Sequence, residues 1–419
     1  MHVVIFEGSR WPTFAPIALS RPIFTLVSGM STLLEKQVRH LRPSRLTLWV
    51  RPELEEHCRV RVLPGLSVPA DVNVPLDDEP ALVITGRMLM FSSFEVPHEP
   101  CVATEETDLA RFAYVRSPGL NHDDVMRRTD RWMRVHDLPR VMPQGRMVET
   151  LWDLIHWNEE SLVEDAIQMG ADGGGDGGGD GRRPHPAGPY HMVRDDDVRL
   201  GEGVKLGPGC VLDASRGPVV LGEQVQVGAN AVIEGPCYVG PHGRVQPLTY
   251  VRPGTTLGPA CKVGGEVSNS IVLGYSNKGH EGYLGDSYLG KWVNFGSGTT
   301  TANLKTTYGE IHVRVGGKDV PTGRRFLGSL VGDHTKTAVH TRLAPGSYVG
   351  FCTSLNGSAF APRFVPSYTY WTDAGMEPYR VDKAIEVTRQ VFARRDRAFT
   401  DYDDRMMRHV ADVAKRVEG

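Results

Sequence analysis

Residues 221–264 read LGEQVQVGANAVIEGPCYVGPHGRVQPLTYVRPGTTLGPACKVG. Aliphatic residues return at every sixth position: Leu221, Val227, Ile233, Val239, Val245, Val251, Leu257 and Val263. A period of six matches neither the 3.6-residue turn of an α-helix nor the two-residue alternation of a strand. It fits a coil of three short strands, one hexapeptide to each, with the aliphatic side chain turned inward. Glycine follows five of the eight, at Gly222, Gly228, Gly240, Gly258 and Gly264. There it is expected to permit a tight corner at positive φ. The spacing continues upstream through Leu200-Gly201 and Leu206-Gly207 and runs to about Gly350, with irregular coils between Gly265 and Leu327. Each coil buries its faces only against its neighbours, so the run has to be long. The expected fold of residues 191–375 is a left-handed parallel β-helix of hexapeptide repeats.

Outward from this stretch the composition changes twice. GADGGGDGGGDGRRPHPAGP, Gly170 to Pro189, has no apolar residue to hold it down and reads as a Gly/Asp-rich, solvated linker, assigned to residues 170–190. Its Asp residues lack the nine-residue period and aliphatic position of a calcium-binding repeat. Residues 1–169 alternate strand-like and helical pattern. Val3 to Phe6, Arg45 to Val50 and Ala81 to Thr85 read as strands, and Leu33 to Leu41 and Val148 to Met169 as helical. An α/β layer structure is expected. Residues 376–419 form a charged C-terminal helical tail, in which Val381, Ile385, Val391 and Phe392 make an apolar stripe fit for packing.

The chain has 419 residues, too many for one ordinary core, and a net charge of −3. No global basic bias argues for nucleic acid or an anionic membrane surface. No apolar run approaches the roughly 20 residues that span a bilayer, and MHVVIFEGSR lacks the pattern of a signal peptide. The expectation is a cytoplasmic protein with no membrane and no nucleic-acid partner. The six cysteines, Cys58, Cys101, Cys210, Cys237, Cys261 and Cys352, form no CxxC pair, so neither a disulfide framework nor a zinc site is expected.

Chemistry-rich residues cluster where the hexad breaks, Gly274 to Lys305: GYSNKGHEGYLGDSYLGKWVNFGSGTTTANLK. Loops that leave a regular solenoid are where a pocket is built. Acyl transfer to an amine needs a base of near-neutral pKa, and His280 is the natural candidate. It needs a donor for the thioester oxyanion, commonly a backbone N–H. It also needs a cation to hold a phosphate, for which Arg252 or Lys278 would serve.

Residues 198–350 resemble the acetyltransferase half of the bifunctional enzyme that makes UDP-N-acetylglucosamine, which acetylates glucosamine-1-phosphate and then uridylates it. The likeness is carried by GHEGYLGDSYLGKWVNFGSGTTTANLK: a histidine, a tyrosine three residues on, Leu-Gly-Asp, then Asn-x-Gly-x-Gly-Thr. By that resemblance His280 would be the general base and acetyl-CoA the co-substrate. Tyr283 would contact the sugar phosphate, and Asn294 would position the amine or the reacting carbonyl. Asn303 and the carboxylate of Glu266 would lie at the acceptor site, and Arg252, in Tyr-Val-Arg-Pro-Gly, would bind its phosphate. Ser268 stands where that family has a lysine, and Leu304 where it has a tyrosine; Lys278 or Lys305 would then supply the missing charge. Coils of this class pair across a three-fold axis, so the resemblance implies a homotrimer. The whole chain is similar to the sugar nucleotidyltransferases related to that enzyme, on Pro16, Ser20, Arg21 and Pro22 and on Asn277, Lys278 and His280.

That second resemblance implies a nucleotidyltransferase-like, Rossmann-like domain over residues 1–169. Such an enzyme needs a Gly-rich loop after the first strand to cradle phosphates, a cation, and carboxylates for magnesium. Here Gly8-Ser9-Arg10 follows Phe6, Arg21-Pro22 stands near the usual Pro-Lys, and Arg87 replaces the metal-binding Asp after Thr85-Gly86. Arg10 and Arg21 are the candidate nucleotide contacts, and Mg2+ is expected only if this domain is active. Three alternatives stay open: nucleotidyl transfer as the main or a second reaction, metal-dependent hydration through His280, His334 and His340, and a non-catalytic scaffold.

Overall fold

The computed structural model describes residues 1–104, 110–172 and 188–419, so residues 173–187 of the expected linker lie outside the described residues. The chain divides into two compact units. One comprises residues 1–14, 20–26 and 31–149; the other comprises residues 15–19, 27–30 and 150–419.

The first unit is an α/β layer around a six-stranded mixed sheet. Its strands are β1 (His2–Phe6), β2 (Arg45–Trp49), β3 (Ala70–Val72), β4 (Ala81–Thr85), β5 (Cys101–Thr104) and β6 (Ala110–Val115), in the order β3-β2-β1-β4-β6-β5. The run HVVIF is buried along its whole length. It lies between β2 and β4, parallel to both, which is why it reads as continuously apolar rather than alternating. Helix α1 (Leu33–Leu41) makes the crossover from β1 to β2. It starts with a reciprocal capping box between Thr32 and Glu35 and ends with Arg42 in the left-handed region. The order turns outward from β1 in both directions, so the carboxyl ends of β1 and β4 form the switch point where open α/β sheets bind ligands.

The second unit is a parallel β-solenoid with three faces. The first face includes Tyr250–Val251, Glu266–Ser268 and Tyr283–Gly285 in a ladder of six strands. The second runs through nine strands, from Val198–Leu200 to Phe364–Val365. The third includes Arg244–Val245, Lys262–Val263 and Asn277–Lys278. The hexad residues Val227, Val239, Val245, Val251, Leu257 and Val263 are all buried in one continuous core, as the period predicts.

The glycines of the hexads act differently from expectation. None of Gly222, Gly228, Gly240, Gly258 and Gly264 has a positive φ. Their need is clearance: a Cβ on Gly258 would stand 2.6 Å from the backbone nitrogen of Gly274 in the next coil. The left-handed corners fall two residues further on and carry side chains, at Gln224, His242 and Ala260.

Helical pattern near residue 150 resolves into α2 (Leu151–His156) and α3 (Asn158–Asp172), which belong to the solenoid unit. Asn158 is fully buried and explains the docking. Its Nδ2 donates to Gly254 O at 2.7 Å, and its Oδ1 accepts from Gly29 N at 2.6 Å. The tail is two helices, α4 (Val381–Ala393) and α5 (Asp401–Glu418). They are separated where Asp396 takes a positive φ and Thr400 caps α5 in a box with Asp403. Among the described residues no helix is long and apolar enough to cross a membrane.

Candidate functional site

The candidate site is built where the solenoid shortens. Eighteen residues separate the paired inward positions Val245 and Val263, but only fifteen separate Val263 from its partner Lys278. The short coil therefore turns a lysine inward at the place of the aliphatic residue. Lys278 is 2 % exposed. Its Nζ donates to Gly264 O at 2.6 Å and to His280 O at 2.8 Å, and burial pushes its pKa down to about 8 against the opposing effect of Glu281. An ammonium so held fixes the corner; its donors point at backbone oxygens inside the coil.

The side chain of His280 projects from that corner and is exposed. Its backbone lies so close to the preceding coil that a Cβ on Gly264 would stand 3.1 Å from His280 N and 2.7 Å from Gly279 O. Gly282, with φ +115°, completes the turn into the first face; a Cβ there would meet Thr299 O at 2.1 Å.

On the first face the register stacks Tyr250, Glu266 and Tyr283 in successive coils. Arg252 Nη1 donates to Glu266 Oε1 at 3.2 Å, and its guanidinium lies 5.7 Å from the centre of the Tyr250 ring. Tyr250 Oη donates in turn to Glu234 Oε1 at 2.7 Å. One coil further on, Asn303 Nδ2 donates to Tyr283 Oη at 3.0 Å and to Asp286 Oδ2 at 2.5 Å, and Asn269 Nδ2 donates to Asp286 Oδ1 at 2.7 Å. Burial raises the pKa of Asp286 while the two amides oppose it. Burial, then the charges of Asp286 and Glu266, raises that of Tyr283, which keeps the phenol neutral near pH 7. The outcome is a ladder of oriented donors and acceptors with an arginine beside it, next to an exposed imidazole.

The structure thus gathers Arg252, Glu266, Tyr283 and Asn303 on one face, with His280 at its corner. It does not bring Asn294 there. Asn294 bridges to Asn277 and to Lys336 on the third face. Lys305 leaves the coil with the excursion that follows Asn303, where its Nζ donates to Glu310 O. The sequence reading quoted Asp286 only as the Asp of Leu-Gly-Asp and gave it no role, and it did not single out Asn269. Their signal is positional: both are non-glycine residues at a left-handed corner, with φ of 47° and 40°.

In the first unit the switch point is filled by internal pairs. Glu7, immediately after β1, accepts from Arg51 Nη1 at 2.6 Å and from Ile23 N at 3.1 Å, and both side chains are buried. Burial raises the pKa of Glu7 and lowers that of Arg51, each opposed by the other's charge. Arg87, after β4, is buried and donates to Glu149 Oε2 at 2.7 Å, and Arg10 lies 3.8 Å from the same oxygen. Arg21 is buried, with Nη2 3.4 Å from Ser20 Oγ. These residues do not fit a magnesium ion: Arg87 stands where the resemblance would put a metal-binding Asp, and the carboxylates of Glu7 and Glu149 are committed to guanidinium groups. Among the described residues no cluster of three His, Cys, Asp or Glu side chains is placed to hold a metal.

Residues 3–171 match the family model described as sugar nucleotidyl transferase. The chain is 37% identical over 152 residues to a bifunctional sugar-1-phosphate nucleotidylyltransferase/acetyltransferase of Sulfurisphaera tokodaii, covering 36% of this chain and 38% of that protein. It is 32% identical over 170 residues to the bifunctional protein GlmU of Alkalilimnicola ehrlichii, covering 40% of this chain and 33% of that protein. The chain therefore spans about a third of the length of the curated relatives it matches. Among solved structures, a UDP-N-acetylglucosamine acyltransferase of Arabidopsis aligns with 52% of this chain and 86% of its own, at 14% identity and a TM-score of 0.28.

Proposed function

We propose that this protein is a transferase of sugar-nucleotide metabolism that N-acylates an amino-sugar phosphate with acetyl-CoA, His280 acting as general base. The observation that carries the reading is the join between an exposed imidazole at a rigid corner and the Arg252–Glu266 and Tyr283–Asn303–Asp286 ladder beside it. The acetyltransferase activity named for the Sulfurisphaera tokodaii relative supports it. Arg252 would hold the acceptor phosphate by its fork, exchanging Glu266 for phosphate oxygens. Tyr283 and Asn303 would orient the sugar. As the amine attacks the thioester carbonyl, the C–N bond forms and the C–S bond breaks. His280 takes the proton from the amine and returns it to the departing thiolate, giving the amide and free CoA. A homotrimer would set this corner against a neighbouring subunit.

The test is release of free CoA from acetyl-CoA in the presence of a panel of amino-sugar phosphates. Release that depends on one acceptor and vanishes in His280→Ala supports the reading. No release with any acceptor, in folded protein, overturns it.

A second reading, nucleotidyl transfer through the first unit, is favoured by the family match over residues 3–171. Against it stand the Glu7–Arg51 and Arg87–Glu149 pairs, which occupy the end of the sheet where nucleotide phosphates and metal would bind. Pyrophosphate release from UTP with a sugar-1-phosphate, measured with and without Mg2+, decides between the two.

A further inference from the structure

Residues 27–30 belong to the solenoid unit, although the chain on either side of them, residues 20–26 and 31–149, belongs to the first. Side chains of the second face hold this segment in place. Tyr288 is 0 % exposed. Its Oη donates to Val27 O at 3.1 Å and accepts from Val27 N at 2.9 Å, the two bonds that a neighbouring strand would otherwise supply. Thr256 stands in the same outward column, paired through Ile271. Its Oγ1 donates to Gly29 O at 2.8 Å. Helix α3 takes the segment from its other side: Gly29 N donates to Asn158 Oδ1 at 2.6 Å, and Met30 N to Asp165 Oδ2 at 2.8 Å. A Cβ on Gly29 would stand 2.5 Å from Asp165 Oδ2 and 2.7 Å from Ser161 O, so the segment seats in one register.

The seat lies close to the candidate site along the chain. Tyr288 follows Asp286 by two residues, across the corner where Asp286 takes a positive φ and holds Asn303 and Asn269. The coil is also unevenly supported. Seventeen residues separate Tyr288 from its partner Ile271 on one side, but forty-two separate it from Leu330 on the other, because the excursion after Asn303 intervenes. A solenoid coil is held by its neighbours, and this one has a neighbour that the chain reaches only after leaving the stack. Outward bonds from Tyr288 make up for that. Its hydroxyl serves a carbonyl and an N–H at once, so its loss leaves both without a partner.

We propose that Tyr288 is a positioning residue. Fastened to the backbone of Val27, it fixes the corner at Asp286, and with it the Tyr283–Asn303 pair that would orient the acceptor. The segment 27–30 thereby takes part in the chemistry of the solenoid. The kinetic consequence rests on the acyltransferase reading, whereas the bracing is read from backbone protection, so the two fail separately.

The experiment compares Tyr288→Phe with Tyr348→Phe in the full chain. Tyr348 stands in the same outward column, paired through Leu330, and its Oη donates to Glu418 Oε1. Its loss removes a buried bond of the same kind away from Asp286. Amide hydrogen exchange over residues 283–286 and 300–303 is expected to quicken about tenfold in Tyr288→Phe and to stay within about twofold of the parent in Tyr348→Phe. In acyl transfer, acceptor KM is expected to rise about fivefold in Tyr288→Phe, with kcat and the KM for acetyl-CoA within about twofold, and to stay parent-like in Tyr348→Phe. Thr256→Val, which loses the bond to Gly29 O and keeps its shape, is expected to raise acceptor KM in the same direction. Exchange unchanged in Tyr288→Phe, an equal rise in Tyr348→Phe, or an acceptor KM unmoved by Tyr288→Phe and Thr256→Val overturns the proposal. If the parent releases no CoA with any acceptor, the proposed function fails, and the exchange comparison still decides whether Tyr288 holds the corner.

Discussion

The ammonium of Lys278 donates to the backbone oxygen of His280 at 2.8 Å, so a cation turned into the solenoid holds the corner from which the imidazole leaves it. A lysine read from sequence as a phosphate contact is spent on backbone oxygens, and its expected role is to position the base.

Lys278→Met removes that hold while keeping the stem. Leaving Gly264 O without its donor costs about 1–3 kcal/mol, partly offset because no charge is buried. For acyl transfer, kcat is expected to fall at least tenfold with acceptor KM within about twofold. A large rise in KM at constant kcat would instead make Lys278 a phosphate ligand. The folded pKa of about 8 lies below the ordinary 10.5. The burial penalty is therefore complete below pH 8 and relieved as pH climbs toward 10.5, by roughly 3 kcal/mol over the full span. The melting temperature of the parent relative to Lys278→Met should rise between pH 8 and 10.

Asp286 clamps Asn303 and Asn269 through both carboxylate oxygens. Asp286→Asn turns an amide donor toward one of two amide donors and loosens Asn303 from Tyr283. A loss of about 1.4 kcal/mol in acceptor binding, or a tenfold rise in acceptor KM, is expected. Tyr283→Phe should act in the same direction. Parent-like kinetics in both variants would remove the acceptor from this face.

Arg51→Met leaves Glu7 buried beside an apolar side chain. Breaking one partner of a buried pair costs about 3–5 kcal/mol, whereas removing both is often tolerated. The single variant should therefore melt well below the parent, and Glu7→Gln with Arg51→Met should recover most of the loss. Additive losses in a thermal-denaturation cycle would show that the pair is not coupled.

Glu418, next to last in the chain, accepts from Tyr348 Oη, Ser367 N and Ser367 Oγ, each at 2.7 Å. It ties α5 to the late coils. Glu418→Ala strands three donors, the buried Tyr348 hydroxyl and two part-buried groups of Ser367, at a cost of about 2–4 kcal/mol and should expose α5 to limited proteolysis before the coils. Burial raises the folded pKa of Glu418 above its ordinary 4.5. The cost of its buried charge is therefore present above that raised value and declines as pH falls toward 4.5. The gap in melting temperature between the parent and Glu418→Gln should narrow or reverse over that fall. Cleavage of α5 no faster in Glu418→Ala than in the parent would refute the tie.

Strand positions in the first unit and the solenoid core were legible because a buried parallel strand must be apolar throughout and a hexad coil must repeat its inward residue. Val3 to Phe6 and Val245, Val251 and Val263 are where that reading puts them. The break between α4 and α5 was not legible, since the apolar stripe continues in helical period on both sides and only the positive φ at Asp396 and the cap at Thr400 part them. Nor was the face on which each polar residue stands. A strict count of six from Val263 would turn Glu281 inward eighteen residues on; the coil is three residues shorter and turns Lys278 inward instead.

The sequence by itself determined the architecture: the period, the strand runs, the composition breaks and the stretch in which the chemistry lies. These are local properties, set by how a repeating backbone must bury one residue in each strand. Only the tertiary structure decided which of those residues meet. It put Asp286 and Asn269 beside Asn303, carried Asn294 to another face under Arg394 and Arg395, and filled the first unit's switch point with Glu7 and Arg51. Coil length and packing between coils set those neighbours, and neither is recorded in the spacing of residues along the chain.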